Sequence, residues 1–552
     1  MPLLRYHDGA FFATGLSTDA IRAVMSLQWR SHPDSTYANP LWMTRSPYLA
    51  APFWDWVGDE ATRQALGPFA WNYQTSFAKF PIAGTGVDSI RLPVDETPYP
   101  FQIAGVQRGL LRDRLLIADQ PGCGKTVEAL GVANMTRPRR TVIACPTFLT
   151  ENWANECERW LVDPQPITIL DRAKKSLGER GIVIVPYSRG HTFHAQLAAG
   201  PPIDLLIMDE LHLLKSGSAR RTAPWLGGNG LARAAKRAIG LTGTPTPNHP
   251  GELYGPLSVL APELVRGVSA AQFADIYCAT TEFKKKVTLK SGRDKQIEIK
   301  KIESKNELVL NAELRASGVM VRRLKNDVLE QLPPKNVYFV HMTPTAEIDA
   351  LVREEADLYQ QLEMRIVTST ELIALKGHIA SVRARLGLLK APKIAEYVQS
   401  IFDAGEDRVV LFMLHLAAID AVARHFAAGD VVVHPLTGAE SPLTRQNRVA
   451  DFQKPGGRKL AIGQIRAAGL GLTMTAARWG VLGEISWTWD DNSQAIDRLH
   501  RVTQTRQVEA PVLTFPHAVE QRVVRANARK ALSSRNVLDI NLQRMINNGA
   551  AA

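Results

Sequence analysis

Five short apolar runs constrain the fold of this chain more than any other feature. They read RLLIAD, TVIACP, GIVIVP, DLLIMDE and RAIGLTGTP, and they fall between about residues 95 and 262. Each is strand-length and breaks off at polar or turn-forming residues. Amphipathic stretches such as KTVEALGVANM and LTENWANECERWL lie between them. Strands alternating with helices predict a parallel sheet covered by helices on both faces. Such sheets bind ligands at the carboxyl ends of their strands, where these polar residues gather. A second set begins near Lys393: DRVVLFML, VVVHPLTG, KLAIGQI, GVLGEIS and PVLTFP. The fold class is therefore α/β, with two lobes.

At 552 residues the chain exceeds one core. The expected division is an N-terminal accessory module over 1–94, a first lobe over 95–265, and an interlobe insertion with helical linker over 266–392. A second lobe with a C-terminal helix covers 393–540, and 541–552 is a tail. The first module holds Trp29, Trp42, Trp54, Trp56 and Trp71; these form either an aromatic core or a surface that stacks on unpaired bases. The charged segment around Ser291-Gly292 alternates like a β-hairpin, and Ala346 to Leu389 is helical. After Val519 the pattern is again helical.

Composition, with 45% hydrophobic and 22% charged residues, is that of a globular protein. No apolar run reaches membrane-spanning length, and the N-terminus lacks the core of a signal peptide. No membrane partner and no secretion are expected. The compartment would be cytoplasm or nucleoid in a bacterial or viral setting and nuclear in a eukaryote. A formal net charge of +12 favours a polyanionic partner. The four cysteines form no CxxC pair, so neither structural zinc nor a disulfide framework is expected.

RLLIADQPGCGKTVEAL is strand, glycine-containing loop and helix. Gly122 and Gly124 let backbone N–H groups turn toward phosphates, Lys125 reaches the β- and γ-phosphates, and the Thr126 hydroxyl holds Mg²⁺. The strict pattern asks for glycine where Asp119 stands, so the loop is a variant. Downstream, LIMDELHLLKS ends an apolar strand on two carboxylates. With a phosphate loop upstream, Asp209 is the candidate metal ligand and Glu210 the candidate general base. His212 is a candidate for coupling nucleotide state to the rest of the lobe.

The order of these motifs and of others resembles the Swi/Snf family of helicase-like ATPases in helicase superfamily two, above all its annealing-helicase (HARP-like) branch. The resemblance covers about residues 95 to 524 and implies two RecA-like lobes. TPYPFQIAGVQRGL resembles the family's adenine-reading motif, which implies that Gln102 reads the base with Tyr99 or Phe101 nearby. In TVIACPTFLTENWANECERW the resemblance places Pro146 and Thr147 against DNA, with Trp153 and Trp160 as packing. VPYSRG implies the same for Tyr187 and Ser188. LTGTPTPN implies coupling through Thr242 and Thr244. MVRRLKNDVLEQLPPK offers Arg322, Arg323 and Lys325 for structure or DNA. In the second lobe, PLTGAESPLTRQNRVADFQ brings Gly438, Arg445 and Phe452 to family positions. RAAGLGLTMTAA brings Arg466 toward DNA, and Gly471 with Gly469 toward phosphates. QAIDRLHRVTQTRQV supplies Arg498 and Arg501, three apart and expected on one helix face, to stabilise the transferring phosphoryl; Gln494 would hydrogen-bond in the cleft. Leu211, Cys123, Thr503 and Ala468 depart from the usual residues without removing a group that touches Mg²⁺, water or phosphate.

The resemblance implies an ATP- and Mg²⁺-using translocase on double-stranded or forked DNA that remodels or reanneals branched DNA. An RNA-dependent ATPase, a conventional strand-separating helicase, and a remodeller of nucleosomes or other protein–DNA complexes stay open as alternatives.

Overall fold

The computed structural model describes residues 2–16, 18–36, 41–87, 89–93, 96–171, 177–215, 220–246, 248–288, 294–329, 332–364, 369–465, 473–486 and 489–515. These divide into two compact units: residues up to 280 with 302–328, and 281–301 with 329–515.

The first unit opens with a four-stranded antiparallel sheet, β1 (Leu3–His7), β2 (Ala10–Thr14), β3 (Arg30–Ser31) and β4 (Trp42–Thr44), in the order β1-β2-β4-β3. Trp29 and Trp56 are buried, and Trp29 packs edge-on against Phe53. Trp71 is more open, with the Arg108 guanidinium 5.0 Å from its ring. The sheet's helices share a core with the rest of the unit. Leu66, Ala70 and Tyr73 of helix Glu60–Thr75 belong to the same apolar cluster as Leu310, Leu314 and Ala316 of helix Glu307–Ala316.

The site-bearing sheet of this unit contains β5 (Arg114–Ile117), β6 (Arg140–Cys145), β7 (Ile167–Ile169), β8 (Gly181–Pro186), β9 (Leu205–Asp209) and β10 (Arg237–Leu241). The chain then pairs β11 (Cys278–Thr288) with β12 (Asp294–Ser304); the turn expected at Ser291-Gly292 lies outside the described residues. It returns as β13 (Met320–Val321) to complete seven parallel strands in the order β13-β5-β10-β9-β6-β8-β7. Alternation buries both faces, as a parallel sheet requires. Leu116, Val142, Leu206 and Met208 face one core, while Leu115, Ile143, Leu205 and Ile207 face the other.

The second unit holds β14 (Lys335–His341), β15 (Arg408–Met413), β16 (Val431–Leu436), β17 (Arg458–Gln464), β18 (Trp479–Leu482) and β19 (Val508–Thr514). They make a parallel sheet in the order β14-β19-β18-β15-β17-β16. Val410 and Phe412 face one core and Val409, Leu411 and Met413 the other. The second sheet thus draws its edge strand β14 from residues assigned by sequence to the linker. KNVYFVH carries no buried apolar run, because an edge strand has a partner on one side only. The helical passage is two helices, Ala346–Met364 and Ser369–Asp403, and the second runs through Pro392 into the expected lobe. Ala391, Ile394, Ala395 and Val398 are buried in one cluster, so packing overrides the proline there. The helical reading after Val519 lies outside the described residues. Among the described residues no helix is long and apolar enough to cross a membrane.

Candidate nucleotide site and its surroundings

The phosphate loop follows β5 and leads into helix Lys125–Thr136. Gly122 has φ 91° and Gly124 φ 86°, a region that suits glycine. A side chain at Gly124 would also meet the Gln102 amide, whose Nε2 would lie 2.4 Å from its Cβ. The helix's first turn, with Lys125 and Thr126, starts from Gly124 as N-cap and presents unpaired N–H groups. Lys125 Nζ donates to the Asp119 carbonyl at 2.9 Å.

Gln102 sits differently from the expectation. It is buried, its Oε1 accepts from Tyr99 N at 2.9 Å, and its Nε2 donates to Cys123 O at 3.0 Å. The amide therefore caps helix Pro100–Leu111 and braces the phosphate loop.

Asp119, the departure from the strict loop pattern, is fully buried. Arg323 binds it as a fork: Nε to Oδ1 at 3.0 Å and Nη2 to Oδ2 at 2.5 Å. The same Nη2 reaches Glu128 Oε2, on the helix after the loop, at 2.6 Å. Arg323 Nη1 also donates to the Phe101 carbonyl. Gly105 makes room, because a Cβ there would sit 1.6 Å from Glu128 Oε2. Burial raises the Glu128 carboxyl well above its ordinary range, against the pull of Arg323. Arg322 donates to the carbonyls of Ala118 and of Gly243, the latter at 2.7 Å. Lys325 is buried as well, and its N–H donates to Gln120 Oε1. Of the two roles left open by sequence, the Arg322 and Arg323 guanidinium groups are committed to buried structural hydrogen bonds.

Asp209 ends β9, and Glu210 follows with φ 50°, ψ 49°. That left-handed conformation is unusual for a glutamate and clusters at functional sites. The Asp209 carboxylate accepts from Trp153 Nε1 (Oδ2, 2.9 Å) and from Glu210 N (Oδ1, 2.8 Å). Burial and the adjacent Glu210 charge raise the Asp209 carboxyl, while Trp153 and Lys125 oppose the shift. A half-buried carboxylate so disfavoured is one that a cation would hold ionised. With Thr126 and the loop's helix end, the donor set fits Mg²⁺ and a nucleotide triphosphate.

The sheet order β5-β10-β9 sets the end of β10 between the loop and the acids. Thr242 stands there. His212 Nδ1 lies 3.3 Å from Glu210 Oε2 and 3.0 Å from Thr242 Oγ1, and Thr244 N donates to Thr242 Oγ1 at 3.1 Å. Of the residues expected to couple, His212 and Thr242 thus form one chain from the candidate base, which Thr244 joins through its backbone N–H. Leu211 is buried, and its Cδ2 occupies the place where Gly240 of β10 has no side chain.

Pro146 is buried, whereas Thr147 and Ser188 are exposed and their hydroxyls lie 3.1 Å apart. Tyr187 corrects an expectation. It is 2% exposed, packs edge-on against Trp225, and donates its hydroxyl to Asp209 O at 2.6 Å, so its side chain is not presented to DNA. Trp153, assigned by sequence to packing alone, is also a hydrogen-bond donor to the candidate metal ligand. Only its place in the chain, six residues past Thr147, hinted at this.

In the second unit, Gly438 is exposed after β16, and its N–H lies 3.4 Å from Gln464 Oε1 at the end of β17. Arg445 is half-buried and Phe452 fully buried. Arg466, Gly469 and Gly471 lie outside the described residues. Helix Trp489–Ile496 carries half-buried Gln494 but stops before Arg498 and Arg501. The shared helix face expected for these arginines is therefore corrected. The buried Gln504 amide donates to the carbonyls of Thr475, Ala477 and Leu499, which holds residues 497–503 as successive turns. Arg501 donates to Thr473 Oγ1.

The SNF2-related domain matches residues 92–391, more than half of the chain. The chain belongs to the SNF2-related family. A helicase conserved C-terminal domain follows over 392–503. Among curated relatives, the SWI/SNF-related matrix-associated actin-dependent regulator of chromatin subfamily A-like protein 1 of Xenopus tropicalis is 27% identical over 81% of this chain and 45% of its own length. The DNA annealing helicase and endonuclease ZRANB3 of Bos taurus is 30% identical over 74% of this chain and 37% of its own. This SNF2-related chain thus spans less than half of either relative. Among solved structures, the Sulfolobus solfataricus SWI2/SNF2 ATPase core in complex with dsDNA matches 81% of this chain and 97% of that one, at 19% identity and a TM-score of 0.36.

Proposed function

We propose that the chain is an ATP-dependent double-stranded DNA translocase that remodels or reanneals branched DNA. The observation that supports this most is the first-lobe constellation: a glycine-turned phosphate loop, the Asp209–Glu210 pair, and the hydrogen-bonded line from Glu210 through His212 to Thr242. Lys125 and the first-turn amides bind phosphates, Thr126 and Asp209 would hold Mg²⁺, and Glu210 takes the proton of the attacking water. Bound Mg²⁺ supplies charge neutralisation at the β- and γ-phosphates. Family resemblance assigns Arg498 and Arg501 to charge on the transferring phosphoryl. DNA contact is assigned to the exposed Thr147 and Ser188, to Gly438 and to Arg466. The +12 charge suits a phosphate-tracking protein, and the likeness to the Bos taurus DNA annealing helicase favours rewinding.

The test is rewinding of a duplex with a melted bubble, followed with and without ATP. The chain should close the bubble only with hydrolysable ATP, and Lys125→Ala should not. Closure independent of ATP, or strand separation instead, contradicts the proposal.

A further inference from the structure

Two segments assigned to DNA meet twice in the first unit. At the surface, Thr147 Oγ1 and Ser188 Oγ are 3.1 Å apart and exposed. Inside, each segment sends one aromatic donor to the same residue. Trp153, in the helix Thr150–Trp160 that follows Thr147, gives its Nε1–H to Asp209 Oδ2 at 2.9 Å. Tyr187, next to Ser188, gives its hydroxyl to Asp209 O at 2.6 Å. Both rings are 1–2% exposed. Phenylalanine would fill the place of Tyr187, so packing alone does not call for its hydroxyl. Asp209 precedes the left-handed Glu210. Such a residue is strained and persists only while its surroundings hold it. Its backbone N–H is tied to the Asp209 carboxylate that Trp153 grips. The strained Asp209–Glu210 turn is thus held by two donors, one on the Asp209 carboxylate and one on its carbonyl.

We propose that Trp153 and Tyr187 are positioning residues that relay nucleic-acid engagement at Thr147 and Ser188 to the Asp209–Glu210 turn, making ATP hydrolysis depend on bound duplex. The inference rests on the function proposed above. Serine and threonine hydroxyls bind phosphate oxygens without reading sequence. A backbone phosphate seated on the hydroxyl pair fixes the two segments relative to one another. The aromatic donors then fix the metal ligand and, through it, the base.

Full-length chains carrying Trp153→Phe, Tyr187→Phe, both, Thr147→Ala with Ser188→Ala, and all four changes test this. ATP turnover is measured without nucleic acid and with saturating duplex DNA, alongside the duplex Kd. The two aromatic changes together should cut the stimulation ratio at least about fivefold, the lower end of ordinary coupling between sites, with duplex Kd within about twofold. Adding the rim changes should lower the ratio no further, since both act on one route. A purely structural role would lower both turnovers in proportion and leave the ratio intact, which overturns the relay; so would multiplicative losses. Tyr187→Phe removes one oxygen and keeps the ring, so it reads the relay even where the tryptophan change unfolds the chain. If the unaltered protein is stimulated by no nucleic acid, the proposed function itself fails, and the relay with it.

Discussion

In the proposed mechanism, Glu210 is the residue on which the chemistry turns. Glu210→Gln should lower ATP turnover by about 10²–10⁴, the usual contribution of a general base, while a fluorescent ATP analogue still binds; lost binding would mean the side chain holds nucleotide instead. Leu211 fills the space over Gly240, so Leu211→Ala should cost about 2–5 kcal/mol of first-lobe stability in urea unfolding and leave nucleotide affinity unchanged. Arg323 holds two buried carboxylates. Arg323→Ala should cost about 3–5 kcal/mol, and Arg323→Lys should recover only part because it lacks the fork. Residues whose chemistry is local were legible in sequence: the phosphate loop from its glycines, the acids from their place at a strand end. The Asp119–Arg323–Glu128 cluster was not, because its members are brought together over some 200 residues. Asp119 in place of glycine was its one trace.

At the scale of elements, strand alternation was readable wherever a run is buried on both faces. It failed at β14, whose residues are largely exposed, and at helix Ser369–Asp403, where burial carries the helix through Pro392. The shared helix face of Arg498 and Arg501 failed because Gln504, just past them, ties residues 497–503 into turns. The N-terminal module shares its core with helix Glu307–Ala316. Removing residues 1–94 should therefore lower the urea midpoint of the first unit and its ATP turnover together; an unchanged midpoint would show a separable module. In the second unit, burial raises the Glu484 carboxyl, but hydrogen bonds from His415 and from the N–H of Leu414 outweigh it and leave the group below its ordinary value. Its contribution is fully present above the ordinary glutamate range and is lost as pH falls through the depressed folded value. Glu484→Gln should flatten that acid limb in a pH series of second-unit melting.

For the whole molecule, two parallel sheets with chemistry at their carboxyl ends follow from strand–helix alternation, and the family match agrees. Partner class was legible only as charge and resemblance, because phosphate binding leaves no single motif. If duplex DNA is the partner, log affinity should fall linearly with log salt, with a slope near −0.9 for each phosphate neutralised.

The most direct measurement is ATP turnover at fixed salt with no nucleic acid, with duplex DNA, with forked DNA, with single strands and with duplex RNA. If the proposed function holds, the chain should hydrolyse ATP fastest on forked or duplex DNA and slowly on RNA or alone. Equal turnover in all five would contradict it.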